Sequence, residues 1–597
     1  MEIENIKEEW LVTRLDEVFL PAENLSPYGL KDKWRVVPYD THEQSGNMLS
    51  SIGTDPKPVT FDPKLSGWYR IYLQFVGESV LDVKLTSDRG FSAVLGNHHD
   101  LSRDGALIEE SLWRSADMTG EAITISLRFE YCKKQAALAG IRFVPMSDDE
   151  VAAYKAEWEV KKNKRLYVSD DMHNRLCHNA RTFEDFLPVV SRYEESDVEW
   201  VSLEDYRIYV SGNLPTENTD DFCFFREVDK NVQNSYKNFD PTELYPYLVD
   251  ESHKRGFKVS LSYRMTAWGM PYPYDQYYFD NSFIIAHPEL RTIDRNGEEV
   301  YALSYAYDEV QDYFIDKMLS GADSGCDAIT LIANRAVPFL LFEEPVAKKF
   351  FEKYGEYPYE LPLDEPRLNE LHCQVMLEFV RKLRRELDER FGKDKVEIHL
   401  RATYSPFDMK VIGLDVEKML EEKLITKLIS YPVRHYERLA DFDVWKDGEE
   451  YRIDLEKYTK VVHENIFYCH PDGWDFPQYK NYRGEMCGPA NARERVIEWV
   501  ALGKKYGVGV YIDIMPRVTQ NSEFKRRALE YYELGVDGVA LWDAMERQMT
   551  SATWDLVRRL GHEDELADID PYKNHRYFRI YRMAGMEINR YNPGFGG

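Results

Sequence analysis

The sequence predicts two architectures in series, an antiparallel β-sandwich followed by an α/β domain of the (β/α)8 TIM-barrel type. Three observations carry that prediction. The first 145 residues or so show short runs of alternating apolar and polar residues with turn residues between them. From about residue 165, short apolar runs alternate instead with long amphipathic stretches. The chain also has 597 residues, more than one hydrophobic core usually supports.

In order along the chain, the period-two runs at 67–75, 80–85, 122–129 and 139–144 read as sandwich strands, separated by Gly, Asp and Ser. They place a sandwich domain over residues 1–146. A charged, helix-rich stretch at 147–164 reads as the linker. The barrel domain, with a C-terminal extension, then occupies 165–597. Its eight expected strands are 198–203, 258–263, 328–333, 397–402, 427–431, 465–469, 508–514 and 538–542. Helices are expected at 242–255, 364–391 and 490–506, each followed by a glycine suited to ending a helix: Gly256, Gly392 and Gly507. Eight strands with helical stretches between them fit a closed barrel better than a doubly wound sheet.

Composition narrows the function classes. A net charge of −29, from 76 basic and 105 acidic residues, repels phosphate backbones and argues against a nucleic-acid partner. No run approaches about 18 uninterrupted apolar residues, so no membrane span is expected. The charged start, MEIENIKEEW, lacks the apolar core of a signal peptide, and a cytoplasmic location is expected. The seven cysteines stand singly, with no CxxC pair, so no disulfide framework is expected. The 41 Tyr, 29 Phe and 12 Trp can stack on the C–H faces of sugars, although filling cores is their commoner use.

In such barrels function gathers where strands end and loops begin. Arg264 follows the 258–263 strand and leads into WGMPYPYDQYYFD, which starts at Trp268 and suits a sugar-stacking wall, a hydrophobic lid or a subunit contact. Arg335 follows the 328–333 strand. Glu343 and Glu344 come soon after, either as site carboxylates or as the acidic start of a helix ahead of Pro345. His399 and Arg401 share one face of their strand, with Tyr404 beyond them. Arg434 and His435 end the next strand. Glu464, His470, Asp472 and Trp474 surround the 465–469 strand without the spacing of a metal motif. Asp513 sits inside an apolar strand, where a carboxylate needs a partner or a raised pKa. It is therefore either a functional acid or the structural partner of an interior arginine such as Arg401 or Arg264. Asp543 ends the last strand.

The order His287-Pro288-Glu289, Asp294 to Gly297, Tyr307 to Val310, Gly325-Cys326-Asp327, Phe342-Glu343-Glu344-Pro345 and Gly535-Val536-Asp537-Gly538 resembles uncharacterised glycosyl-hydrolase-like (β/α)8 proteins. The resemblance spans about residues 195–593. It implies a barrel preceded by a β-sandwich of the carbohydrate-binding-module kind. One departure stands out, because Ile332 occupies the position at which that pattern carries an acid.

The expected function is a glycoside hydrolase acting on an intracellular oligosaccharide or glycoside through a pair of carboxylates at the barrel mouth. Asp513, Asp543 and Glu344 are the expected catalytic residues. Arg264, Arg335, His399, Arg401, Tyr404, His470, Trp474 and Trp268 are expected to line the substrate site, and their basic members hint at an anionic sugar. No metal and no cofactor are expected. The partner is a carbohydrate substrate, and nothing in the sequence excludes a homo-oligomer. The rival readings are a carbohydrate-binding barrel that has lost catalysis and a metal-dependent lyase or isomerase using His399, His435 and His470.

Overall fold

Alternation in the first region becomes two facing sheets, antiparallel except where Leu25–Ser26 pairs with Trp34–Thr41. One runs, in spatial order, Leu25–Ser26, Trp34–Thr41, Ser45–Ile52, Gln135–Pro145, Trp68–Val76 and Leu107–Asp117, with Trp10–Val12 on Gln135–Pro145. The other runs Val59–Phe61, Ile123–Ser126, Ser79–Leu85 and Ser92–Gly96. The core between them includes Leu49, Phe61, Ile71, Leu73, Phe75, Leu81, Val83 and Phe143, all fully or almost fully buried. The structure, a computed structural model, describes residues 8–52, 55–77, 79–96, 107–127, 135–172, 180, 182–205, 240–265, 283, 286–333, 339–361, 365–403, 405–431, 445–447, 450–452, 479–480, 486–487, 492–514, 521–542 and 550–587.

The sequence beyond the barrel is not a loose extension. Its strand His575–Met583 pairs with Leu107–Asp117 through residues 575–579 and with Trp34–Thr41 through 580–583. The larger sheet is thereby joined edge to edge. Ile580, fully buried, completes a second small core with Val37, Tyr39, Met48, Ile108 and Ala139 on the face away from the sandwich interior.

The linker forms a helix, Asp148–Glu157, started by a reciprocal Ser147–Glu150 capping box. Glu150 pairs with Arg70 of the sandwich at 3.0 Å, and Glu157 with Arg559 of the barrel domain at 2.7 Å.

The barrel closes through eight parallel strands. They are, first to eighth, Leu166–Asp170, Val198–Glu204, Lys258–Arg264, Ala328–Ile332, Glu397–Thr403, Lys427–Tyr431, Gly509–Asp513 and Gly538–Trp542. Two points correct the sequence reading. The first strand, 166–170, is not among the expected elements. The 465–469 run lies outside the described residues, and the strands flanking it pair directly, Leu428 opposite Val510, which leaves no barrel position for it. The eighth strand pairs with the first, Val539 opposite Leu166, and completes the ring.

The helices that pack on the ring include Pro241–Lys254, Asp308–Ala322, Pro366–Phe391, Ala492–Tyr506 and Asn521–Glu533. Gly256 and Gly507 follow two of them with φ of +79° and +70°, a left-handed turn that lets the chain re-enter the sheet within two or three residues. A hairpin, Arg291–Ile293 with Glu299–Leu303, lies between the third strand and the helix that follows it. Among the described residues no helix is long and apolar enough to cross a membrane.

Candidate active site

The barrel interior is built in layers, because every second residue of a strand points inward. The lower layer is a plug. Tyr167, Trp200, Ala328, Ile429, Tyr511 and Ala540 form one buried cluster. The Tyr167 hydroxyl lies 2.9 Å from Ser260 Oγ, 2.9 Å from Thr330 Oγ1 and 3.1 Å from His399 Nδ1, so one phenol ties together residues of four strands. His399 uses its other ring nitrogen on Glu397, 3.1 Å away, and sets its ring edge-on to Trp200 at 4.5 Å. Burial holds its pKa below the ordinary histidine range, with Glu397 opposing.

Among the residues expected to contact substrate, His399 takes this buried position. It is fully buried with both nitrogens engaged, and it belongs to the packed plug rather than to the mouth.

One inward step closer to the C-terminal end, the residue types change. Arg401 of the fifth strand reaches across the interior, with Nη1 2.5 Å from Asp513 Oδ2 on the seventh strand and Nη2 2.5 Å from Ser169 Oγ on the first. Its guanidinium carbon lies 4.2 Å from the ring centre of Trp542 on the eighth. Both partners of the ion pair are only 1% exposed. A second pair sits beside it, Arg264 Nε to Glu204 Oε1 at 2.7 Å, also buried. Four charged side chains thus meet at one level of the barrel in two matched pairs, as burial of charge requires. Ile332 ends the fourth strand in register with both arginines, opposite Arg264 on one side and Arg401 on the other.

Asp170 and Asp205, at the ends of the first and second strands, alternate with the inward-facing Ser169 and Glu204 and lie off that face. Asp170 accepts the Met172 amide at 2.7 Å, and Asp205 accepts the Tyr263 hydroxyl at 2.5 Å. Period two turns Tyr263 and Asp205 away from the interior, toward the helix carrying Gly321, where a Cβ would collide with the Tyr263 hydroxyl.

The structure brings together Asp513, Arg401 and Arg264 of the expected site. It adds Glu204, Ser169 and Trp542, of which only Glu204 has a signal in the sequence, its place in an alternating run. Trp200, Ser202 and Glu204 follow one another at period two, and Ser169 belongs to the strand missed in the sequence. Glu344 stands apart: it is the exposed first residue of the helix Glu344–Tyr354, as the helix-start reading anticipates. Its neighbour Glu343 turns inward instead and is fully buried. Glu343 accepts the amides of Leu341 at 2.9 Å and Ile293 at 3.1 Å, which pins the hairpin to the loop beyond the fourth strand. Burial pushes its carboxyl up to about 7, against those amide contacts. Asp543, Arg335, Tyr404, His470, Trp474 and Trp268 lie outside the described residues, as do Arg434, His435, Glu464 and Asp472.

The two described arginines of the expected site are each matched by a carboxylate of the protein. Among the described residues no group of three or more His, Cys, Asp and Glu side chains could hold a metal ion.

No family model and no curated protein matches the chain. Solved structures do. The glycoside hydrolase domain of PgaB (BpsB) from Bordetella bronchiseptica is 10% identical, with a TM-score of 0.37 over 66% of this chain and 98% of that one. An endo-β-1,4-mannanase from Thermotoga petrophila is 9% identical, with a TM-score of 0.34 over 67% and 76%. A GH18 chitinase from Pseudoalteromonas aurantia is 11% identical, with a TM-score of 0.30 over 67% and 98%. At these scores the likenesses carry no argument about this chain, whose barrel rests on its own strand pairing and whose reaction rests on its own site.

Proposed function

We propose that the chain is a glycoside hydrolase whose reaction takes place at the C-terminal mouth of the barrel. The observation that carries this reading is Asp513: an inward-facing, almost fully buried carboxylate at the last residue of a barrel strand, held by Arg401 beside the Trp542 ring. A carboxylate fixed in a low-dielectric, aromatic-walled setting stabilises the positive charge that develops on a sugar ring as the glycosidic bond breaks. In this proposal Asp513 is the ionised member of the pair, since a guanidinium contact favours the charged form. Asp543, directly after Trp542, is the proton donor.

The substrate is an oligosaccharide or glycoside. Its ring stacks at the mouth, and Arg401 and Arg264 keep the carboxylates oriented rather than binding an anionic substituent.

Replacement of Asp513 and of Asp543 by asparagine tests the assignment. Each change is expected to lower hydrolysis of an accepted glycoside by about 10²-fold or more, the usual worth of a general acid–base group. Asp513→Asn is also expected to lower the unfolding temperature, because Arg401 loses its counter-charge, so its rate is read at a temperature where circular dichroism shows the fold intact. Unchanged rates in both variants would remove these two carboxylates from the mechanism.

One observation favours a second reading, that of a barrel which binds carbohydrate without cleaving it. Ile332 stands in the charged layer where the resembling pattern carries an acid. That reading predicts thermal stabilisation by a glycan with no turnover of it.

A further inference from the structure

Exposed aromatic rings gather at one place on the barrel's outer rim. Phe351, on the helix Glu344–Tyr354, is 43% exposed, and Tyr357 and Tyr359, in the turn that follows, are 54% and 38% exposed. The Phe351 and Tyr357 rings lie 4.7 Å apart and 25° from parallel, and those of Tyr357 and Tyr359 lie 5.9 Å apart and 19° from parallel. Three side chains that would each lose less by burial are held instead as one aligned, solvent-facing surface.

The patch adjoins the mouth. Tyr359 packs at 6.3 Å on Phe342, which belongs to the segment leading out of the fourth strand. His372, in the second turn of Pro366–Phe391, makes a 2.9 Å hydrogen bond to the Leu341 carbonyl and fixes that segment to the start of the long helix. The rings therefore lie at the end of the barrel where the strands finish.

Size and charge say what covers the patch. Aromatic side chains of about 150–250 Å² each, exposed to this extent, offer roughly 250 Å² in total. A stable protein partner needs about 800 Å² on each side, whereas one or two pyranose rings need no more than the patch provides. Two of the neighbouring cations are already matched, Arg367 with Glu356 and Glu365 at 2.7 Å each and Lys353 with Glu370 at 3.5 Å, while Lys348 and Lys349 stand exposed on the same helix. An anionic ligand gains little from Arg367 and Lys353, while the apolar C–H faces of an uncharged sugar fit the rings.

We infer that Phe351, Tyr357 and Tyr359 form a second carbohydrate-binding surface, which holds an uncharged glycan chain beside the barrel mouth. The ligand class rests on the glycosidase reading, but the surface acts by binding alone and is tested by binding alone.

The test uses the full chain. Native gels cast with galactomannan, mixed-linkage β-glucan or xylan, together with sedimentation on particulate chitin, measure retention. At least one of these glycans is expected to retain the protein. Phe351→Ala and Tyr357→Ala are each expected to weaken retention about tenfold without lowering the unfolding temperature, and Tyr357→Trp is expected to preserve it. Asp513→Asn is expected to be retained like the parent, so loss of hydrolysis and loss of this surface are read separately. If none of the four glycans retains the protein, or if both alanine variants are retained like the parent, the inference falls. It falls equally if light scattering shows a dimer that Tyr357→Ala splits, since the patch would then be a contact between copies.

Discussion

Arg401 and Asp513 neutralise one another in a place where neither could stand alone. Removing one partner of a buried ion pair leaves an uncompensated charge, at about 3–5 kcal/mol. Arg401→Met is expected to destabilise the protein by that amount in urea unfolding. Combining it with Asp513→Leu is expected to recover much of the loss, because the two residues are coupled rather than additive. If the double variant equals the sum of the singles, the pair has been misread. Glu343 supplies a second residue-scale prediction. Its folded-state pKa of about 7 lies above the ordinary 4.5, so the fold favours the protonated acid. Its contribution is fully present below pH 4.5 and is lost as pH rises through 7, a difference of about 3 kcal/mol. Unfolding temperatures taken between pH 5 and 8 should therefore fall less in Glu343→Gln than in the parent.

Strands show how far sequence reading reached and where it stopped. Asp513, Arg401 and Arg264 were legible because a charged residue inside an apolar strand has few places to point. Glu204 was not, because the second strand was ended at Leu203, one residue before the inward position. The first strand escaped for a related reason. Leu166–Asp170 is five residues long, buried on both faces, and follows the charged run KKNKR, so it shows neither alternation nor length. The 465–469 run, NIFYC, looks just as apolar and was counted in its place. Apolar runs of this length do not announce whether a neighbouring strand exists to receive them, and only pairing decides. The seam where the barrel closes is correspondingly tight. A Cβ added to Gly538 would lie 2.2 Å from the Arg165 carbonyl oxygen and 2.6 Å from the Tyr511 ring. Gly538→Ala is expected to cost about 1–3 kcal/mol through overpacking, read as a lower urea midpoint with the helical signal of the native state retained.

At the scale of the whole molecule, the sandwich and the barrel are one connected object. Ser111 of the sandwich meets Ser551 of the barrel domain at 2.5 Å, and Asn574 links Tyr72 to Asp555 at 3.3 and 2.7 Å. Glu110, fully buried, accepts from Arg142 of the sandwich and from Arg576 of the last long strand. A chain cut after Asn574 loses that strand, opens the edges at Leu107–Asp117 and Trp34–Thr41, and uncovers the small core around Ile580. Limited proteolysis of such a chain is expected to cut first within residues 8–145, while the barrel helices stay protected. Equal protection of both regions would show that the strand is dispensable.

The position of that strand also sets an order of events during synthesis. Residues 34–41 and 107–117 leave the ribosome long before residues 575–583, so two sheet edges wait unpaired while the entire barrel is made. At about 5–20 residues per second, the interval between residue 117 and residue 575 lasts roughly 20 to 90 seconds. The nascent sandwich is thus the part of this chain with most to gain from a chaperone, and the synthesis of residues 575–583 is what releases it.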